Sequence, residues 1–199
     1  NPAFQRTVFH LQHTNPLLQK YVLSIIVDAQ ILIHCVYISP TTPHEEVNSL
    51  LEALPLELPN ITTTIICGDF NARMGLLTGD TRSNHRGLLM RNWLETNNLI
   101  NWNCRLAYGK PTVYRLLGHS IVDYFISNAE FQNVQLEIRD DLSLTSDHKF
   151  MTFSITTQQL LHIQQSLHPP RRSWNLGLLK QEKYALRYQS TFIRNLHLI

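Results

Sequence analysis

The run Ile61-Thr62-Thr63-Thr64-Ile65-Ile66-Cys67-Gly68-Asp69-Phe70-Asn71-Ala72 decides the fold. Its β-branched first half reads as a strand buried on both faces. Gly68 lets the backbone turn sharply where that strand leaves the core. Asp69 and Asn71 stand two apart, so in extended chain both project to one side. A carboxylate beside an amide can hold a water molecule and present a donor to a phosphate. The same residue types also build ordinary strand-end turns.

Working outward, Tyr21 to Val27 and Gln30 to Ile38 are two β-rich runs joined at Asp28-Ala29, which predicts a hairpin. Thr42-Pro43-His44-Glu45-Glu46 opens a helix, with Thr42 as its expected cap and acidic residues suited to the helix dipole. Val47, Leu50, Leu51 and Leu54 then recur at helical spacing until Pro55. Residues 75 to 87 read as a mobile loop. A second helix is expected over about His85 to Asn97, with Leu88, Leu89, Trp93 and Leu94 on its apolar side. Further strands are expected near Leu99 to Trp102, Ser120 to Ser127, Val134 to Ile138 and Phe150 to Thr156. Several strands with two helices far apart suggest sheet-on-sheet packing with helices outside.

Composition narrows the class. The chain has 199 residues, 43% of them hydrophobic and 16% charged, the reverse of the balance that keeps chains disordered. No apolar run reaches the roughly 18 to 20 residues of a membrane span, and residues 1–20 lack the features of a secretory signal. Three widely spaced cysteines, Cys35, Cys67 and Cys104, fit buried thiols in a reducing, intracellular setting better than a disulfide framework. Residues 1–167 carry 11 Lys and Arg against 14 Asp and Glu, whereas residues 168–199 carry six basic residues against Glu182 alone. With His168-Pro169-Pro170 as a break, the chain divides into a domain over 1–160 and a basic tail or linker over 161–199.

Other polar groups also fall at strand ends. Ser146-Asp147-His148 precedes the last strand, where a carboxylate and an imidazole are placed to bind a metal or a phosphate. Asp123, in Ile121-Val122-Asp123-Tyr124-Phe125-Ile126, costs several kcal/mol in an apolar strand unless paired, and a histidine is its natural partner. Tyr37 ends the Ile31–Ile38 run, just before Ser39-Pro40. His10 and His13 have zinc-site spacing, but no cysteine or further histidine cluster lies near them in sequence.

In order, Val36-Tyr37-Ile38-Ser39-Pro40, Gly68-Asp69-Phe70-Asn71-Ala72-Arg73, Gly109-Lys110-Pro111-Thr112, Ser120-Ile121-Val122-Asp123-Tyr124 and Ser146-Asp147-His148 form a series. It resembles the endonuclease/exonuclease/phosphatase superfamily. Asn84-His85-Arg86-Gly87-Leu88-Leu89, Asn97-Asn98-Leu99 and the downstream Arg171-Arg172-Ser173-Trp174-Asn175 make it most similar to the endonuclease domain of LINE-type retrotransposons. The resemblance implies a DNase I-like α/β fold: a four-layer sandwich of two packed, mainly antiparallel sheets flanked by helices. It implies Mg2+ (or Mn2+) as cofactor, DNA as partner with no membrane, and a reverse transcriptase domain downstream in a longer parent protein. Carried over, Asp69 orients or deprotonates the attacking water and Asn71 holds it. His148 contacts the scissile phosphate, Asp123 fixes its ring, Tyr37 donates to a phosphate oxygen, and Asp147 takes part in the metal site or assists the leaving group. Arg73, Lys110 and Arg115 lie in the same loops as candidate contacts to a nucleic acid backbone.

One departure matters. The family pattern also has an asparagine on a first strand and a metal-binding glutamate before the tyrosine motif, whereas no glutamate here precedes Glu45. The domain is therefore expected to lack its opening strands, as a fragment or a degenerate element, and to be weak or inactive alone as a nuclease. Two other readings stay open: a phosphatase on phosphoinositides or other small phosphoesters, and a non-catalytic nucleic-acid-binding remnant that uses the basic tail.

Overall fold

The computed structural model describes residues 7–116, 118–139, 141 and 146–156. They fall in the first of two units into which the chain divides, Asn1–Thr156 and Thr157–Ile199. The basic tail, the His168-Pro169-Pro170 break and the Arg171–Asn175 segment lie outside the described residues.

The elements run β1 (Val8–Leu11), α1 (Pro16–Tyr21), β2 (Val22–Val27), β3 (Ile31–Tyr37), α2 (His44–Ala53), β4 (Thr63–Asp69), α3 (His85–Thr96), β5 (Ile100–Asn101), α4 (Trp102–Leu106), β6 (Val113–Arg115), β7 (Gly118–Ser120), β8 (Asp123–Ser127), β9 (Gln135–Arg139) and β10 (Phe150–Ser154). Six strands form one sheet in the order β1-β2-β3-β4-β8-β5, and β9–β10 and β6–β7 are separate two-stranded sheets. Among the described residues only β3 and β4 pair in parallel, across the crossover that contains α2. The other pairs are antiparallel.

The Asp28-Ala29 hairpin is present, and both residues adopt φ 52°, the left-handed turn that matches the twist of its strands. Alternation along the strands separates two faces. Val36, Ile66, Tyr124 and Ile126 point into a core filled from α2 by Val47, Leu50 and Leu51 and from α3 by Met90, Trp93 and Leu94. On the opposite face Phe125 stacks on Phe153 of β10 at 4.9 Å between ring centroids, and Trp102 of α4 packs on Phe131 and Phe153. The result is the expected α/β sandwich of mainly antiparallel sheets with helices outside.

A polar rung crosses the β1 side of the sheet. His34 is fully buried; its Nε2 donates to the Pro55 carbonyl (2.8 Å) and its Nδ1 meets Ser24 Oγ (2.6 Å), which in turn contacts His13 Nε2 (2.6 Å). A carbonyl only accepts, so Nε2 carries the proton and Ser24 donates to Nδ1. Burial lowers the His34 pKa to about 4, and the ring is neutral. His13 is thus a link in a structural network.

Several local expectations change. Pro43, not Thr42, occupies the α2 cap position and makes no side-chain cap; buried Thr42 offers its carbonyl to Arg86 Nη2 at 3.0 Å. In α3, Leu88 is 54% exposed while Arg86 and Gly87 are buried, because Gly87 lies flush against the Arg73 carbonyl and turns that side of the helix inward. The expected Leu99–Trp102 strand stops at Asn101, whose side chain accepts from Asn103 and Cys104 N–H and starts α4. The Ser120–Ser127 run is split: Ile121 N donates to Asp80 (2.9 Å) and Val122 N to Thr112 Oγ1 (3.1 Å), so Asp123 opens β8 instead of lying within a continuous strand. Residues 75–87 are not an open loop, since a 3-10 turn (Gly75–Leu77), a Met74–Ser83 bridge and buried Asp80 hold them. Cys35 is exposed, as it sits on the sheet face away from the helical core. Among the described residues no helix is long and apolar enough to cross a membrane.

A Cβ built on Gly87 would lie 1.9 Å from the Arg73 carbonyl oxygen, with backbone on both sides of the contact. Gly87→Ala gains about 1 kcal/mol of helix propensity. The overlap forces a backbone shift, and a net loss of about 2 kcal/mol or more is expected in urea unfolding. A variant as stable as the parent would show that α3 is free to move off this contact.

Candidate active site

The site is assembled at one end of the six-stranded sheet. The ladder places Tyr37 opposite Asp69 and Asp69 opposite Asp123, so three polar side chains from β3, β4 and β8 share one rung on one face. In the preceding rung Gly68 faces Val36. It has φ 138°, and a Cβ there would lie 1.9 Å from the Val36 carbonyl oxygen. Glycine is therefore obligatory where β4 closes against β3 just before Asp69.

Asp69 is held by Asn71 twice: its Oδ1 accepts from Asn71 N at 2.8 Å and its Oδ2 from Asn71 Nδ2 at 2.8 Å. Asn71 has φ 47°, a conformation that asparagine tolerates, and Nδ2 also reaches the Ile38 carbonyl at 3.0 Å. Across the rung, His148 Nδ1 lies 3.0 and 3.1 Å from the two oxygens of Asp123, and Nε2 lies 3.9 Å from Asp69 Oδ2. The Nδ1–H donates to Asp123, which leaves Nε2 on the Asp69 side. His148 is positioned by an isolated bridge to Val113 and by its own N–H donating to Ser146 Oγ at 3.1 Å.

Asp69, Asp123 and His148 each offer one ligand atom within 4.8 Å of the others, the one such cluster among the described residues. Their side chains are 12%, 16% and 29% exposed. Desolvation is the largest influence on both carboxyls and raises their pKa values. Proximity to Asp69 raises Asp123 further, while hydrogen bonds from Asn71 and Thr112 and the charge of His148 pull in the opposite direction. Two partly desolvated like charges side by side are an arrangement that a divalent cation relieves, and oxygen donors suit Mg2+, which keeps several of its waters.

The remaining candidates lie outside this cluster. Tyr37 is 60% exposed on the shared rung. Asp147 lies outside the cluster: it is exposed, its Oδ2 accepts from Arg115 Nε at 2.8 Å, and that ion pair lowers its pKa. Arg73 and Arg115 line a cleft of about 320 Å³ with Asn71, Asn84, His44 and His85. Lys110 is exposed in the loop before Thr112.

Four supporting residues escaped sequence reading. Buried Thr112 accepts from the N–H groups of Val122 and Asp123 (3.1 and 3.2 Å) and so fixes the start of β8. Asn103 brackets Asp123 from the other side, donating to its carbonyl at 3.1 Å and accepting from Phe125 N at 2.9 Å. Buried Arg86 donates to the carbonyls of Phe70, Pro40 and Thr42, tying the β3 and β4 exits to α3. Buried Asp80 binds Arg73 and the Ile121 N–H. Thr112, Asn103 and Arg86 lie in or beside quoted motifs; only their burial separates them from surface polar residues.

Residues 31–152 match the model of the family described as endonuclease-reverse transcriptase. No curated protein matches the sequence. Among solved structures, the endonuclease domain of TRAS1, a telomere-specific non-LTR retrotransposon, superposes with TM-score 0.60 at 21% identity, over 77% of this chain and 69% of that one. An AP endonuclease from Archaeoglobus fulgidus gives TM-score 0.51 at 13% identity over 74% and 70%. The AP endonuclease LMAP from Leishmania major gives 0.50 at 12% identity over 68% and 55%. These likenesses establish the fold as DNase I-like.

A raised carboxyl pKa in the folded state contributes stability below the unfolded value of about 3.9, and that contribution is lost as pH rises through the folded value. Asp123→Asn keeps an acceptor for His148 Nδ1 and removes the charge. Its urea midpoint is expected to exceed the parent's at pH 7, with the advantage shrinking toward pH 3.5. A variant less stable than the parent at pH 7 would contradict this electrostatic account.

Proposed function

The chain belongs to the endonuclease-reverse transcriptase family, within the endonuclease/exonuclease/phosphatase superfamily, and we propose that it is the DNA endonuclease domain of a retroelement-like protein. The observation that carries this reading is the convergence of Asp69, Asp123 and His148 at one point, with Asn71 locked against Asp69.

In the proposed reaction, a DNA phosphodiester lies over the rung between Asp69 and His148. Asp69, aimed by its two bonds from Asn71, orients a water molecule and takes its proton as the oxygen attacks phosphorus. The new P–O bond forms as the bond to the leaving oxygen breaks, and the leaving oxygen takes up a proton from solvent water. His148, its ring set by Asp123, presents Nε2–H to a non-bridging oxygen and offsets the charge that builds there. Tyr37, exposed on the same rung, is placed to donate to a second phosphate oxygen. Asp69 and Asp123 are the groups that would hold Mg2+ or Mn2+, and a bound divalent ion supplies Lewis-acid stabilisation of the phosphoryl charge. Asp147, paired with Arg115, is assigned to positioning that arginine against the backbone of the substrate. Arg73 and Lys110 are the further candidate contacts to the DNA backbone. The family description supports a reverse transcriptase as the neighbouring activity in a parent protein.

Among the described residues the cluster contains no glutamate, so cleavage by the 199-residue chain is expected to be slow. Slow Mg2+- or Mn2+-dependent nicking of supercoiled plasmid is the expected result, with no release of phosphate from p-nitrophenyl phosphate. His148→Ala should reduce nicking by about 10²–10³-fold, the usual cost of removing one group that stabilises transition-state charge. Phosphate release without nicking would replace this reading with a phosphatase. Salt-sensitive DNA binding with no nicking in either metal would replace it with a binding remnant.

A further inference from the structure

Two thiols sit together below the carboxylate cluster. Cys35 of β3 and Cys67 of β4 are register partners in the parallel pair, and their sulfur atoms are 3.8 Å apart. Both lie on the sheet face opposite the helical core, since their neighbours Val36 and Ile66 point into that core. Adjacent strands run about 4.8 Å apart, inside the range of about 4.4–6.8 Å between Cα atoms that a disulfide spans. The sulfurs need only close to about 2.05 Å, a change that side-chain rotation can supply. Cys35 is exposed, whereas Cys67 is half-buried.

Cys35 also lines a cleft of about 630 Å³ together with Leu23, Tyr37, His10, His13 and Lys20; Cys67 does not. The basic side chains of the lining are His10, His13 and Lys20; Lys20 is shared with Glu46 at 2.9 Å, and burial lowers the His13 pKa. A cleft of this size, with exposed Cys35 on its wall, admits a small peptide thiol or its disulfide.

We propose that Cys35 and Cys67 are a redox-active dithiol, converted to an intramolecular disulfide by a small disulfide of the glutathione type that enters the cleft over Cys35. The Cys35 thiolate attacks one sulfur of the small disulfide, forming a mixed disulfide and expelling one thiolate. Cys67, deprotonated in turn, attacks the Cys35 sulfur and expels the second. The two protein sulfurs lose two electrons, the small disulfide gains them, and the two cysteine protons end on the two released thiols. The product covalently ties β3 to β4 one rung before the Val36–Gly68 contact and two residues before Tyr37 and Asp69. The proposal is independent of the endonuclease reading.

The test incubates the native full chain with excess glutathione disulfide, alkylates the remaining thiols and measures intact and peptide masses. The chain has three free cysteines, and the expected product has lost two alkylatable thiols, retains Cys104, carries no glutathione and yields a Cys35–Cys67 linked peptide. Cys67→Ser should stop at a stable glutathione adduct on Cys35, and Cys104→Ser should behave as the parent. Three results would overturn the proposal: a persistent Cys35 adduct in the parent chain, a disulfide-linked dimer, or three thiols still free while Cys67→Ser is readily modified.

Discussion

The site depends on the register of one rung. Because β3 and β4 run parallel and β8 runs antiparallel beside them, Tyr37, Asp69 and Asp123 are brought level on the same face. A one-residue slip of any of these strands would send its polar group to the helical side, where Val36, Ile66 and Tyr124 fill the core. Gly68 fixes that register sterically, since its lack of a side chain allows β4 to meet the Val36 carbonyl.

Around that rung, charges are spent where backbone ends need them. Arg86 collects three carbonyls from the segments that follow β3 and β4, and Asp80 accepts the N–H of Ile121 as the chain enters β8. Burying a charge costs several kcal/mol unless it is paired and hydrogen-bonded, so both are committed to structure. Asp69 and Asp123 differ: each is partly desolvated beside a like charge, with a single histidine between them. That imbalance, tolerated at the end of a well-packed sheet, is the feature on which the proposed catalytic role rests.

Much was legible beforehand. The Asp28-Ala29 hairpin, the α2 and α3 helices, β4 and the β9 and β10 strands follow from β-branched runs and helical spacing, signals that survive folding because they encode one buried face. What misled was local chemistry overruled by tertiary contacts. Thr42 has the composition of a cap, but its carbonyl is taken by Arg86 from 44 positions away. Leu88 continues an apolar spacing, but Gly87 sets the face of α3 by packing on Arg73. Asp123 reads as a charge within a strand, but Thr112 and Asp80 break the run before it and place it at the start of β8.

By itself the sequence determined which groups leave the β4 strand: period-two alternation and a glycine at the turn make Asp69 and Asn71 polar exits from an apolar strand. The resemblance already pairs Asp123 with His148, 25 positions away; only the tertiary structure decided that Asp147, the immediate neighbour of His148, turns away to Arg115. Adjacent residues in extended chain project to opposite sides. Which of two neighbouring side chains enters a site is therefore set by the bridge from His148 to Val113, a contact between segments that the linear order keeps apart.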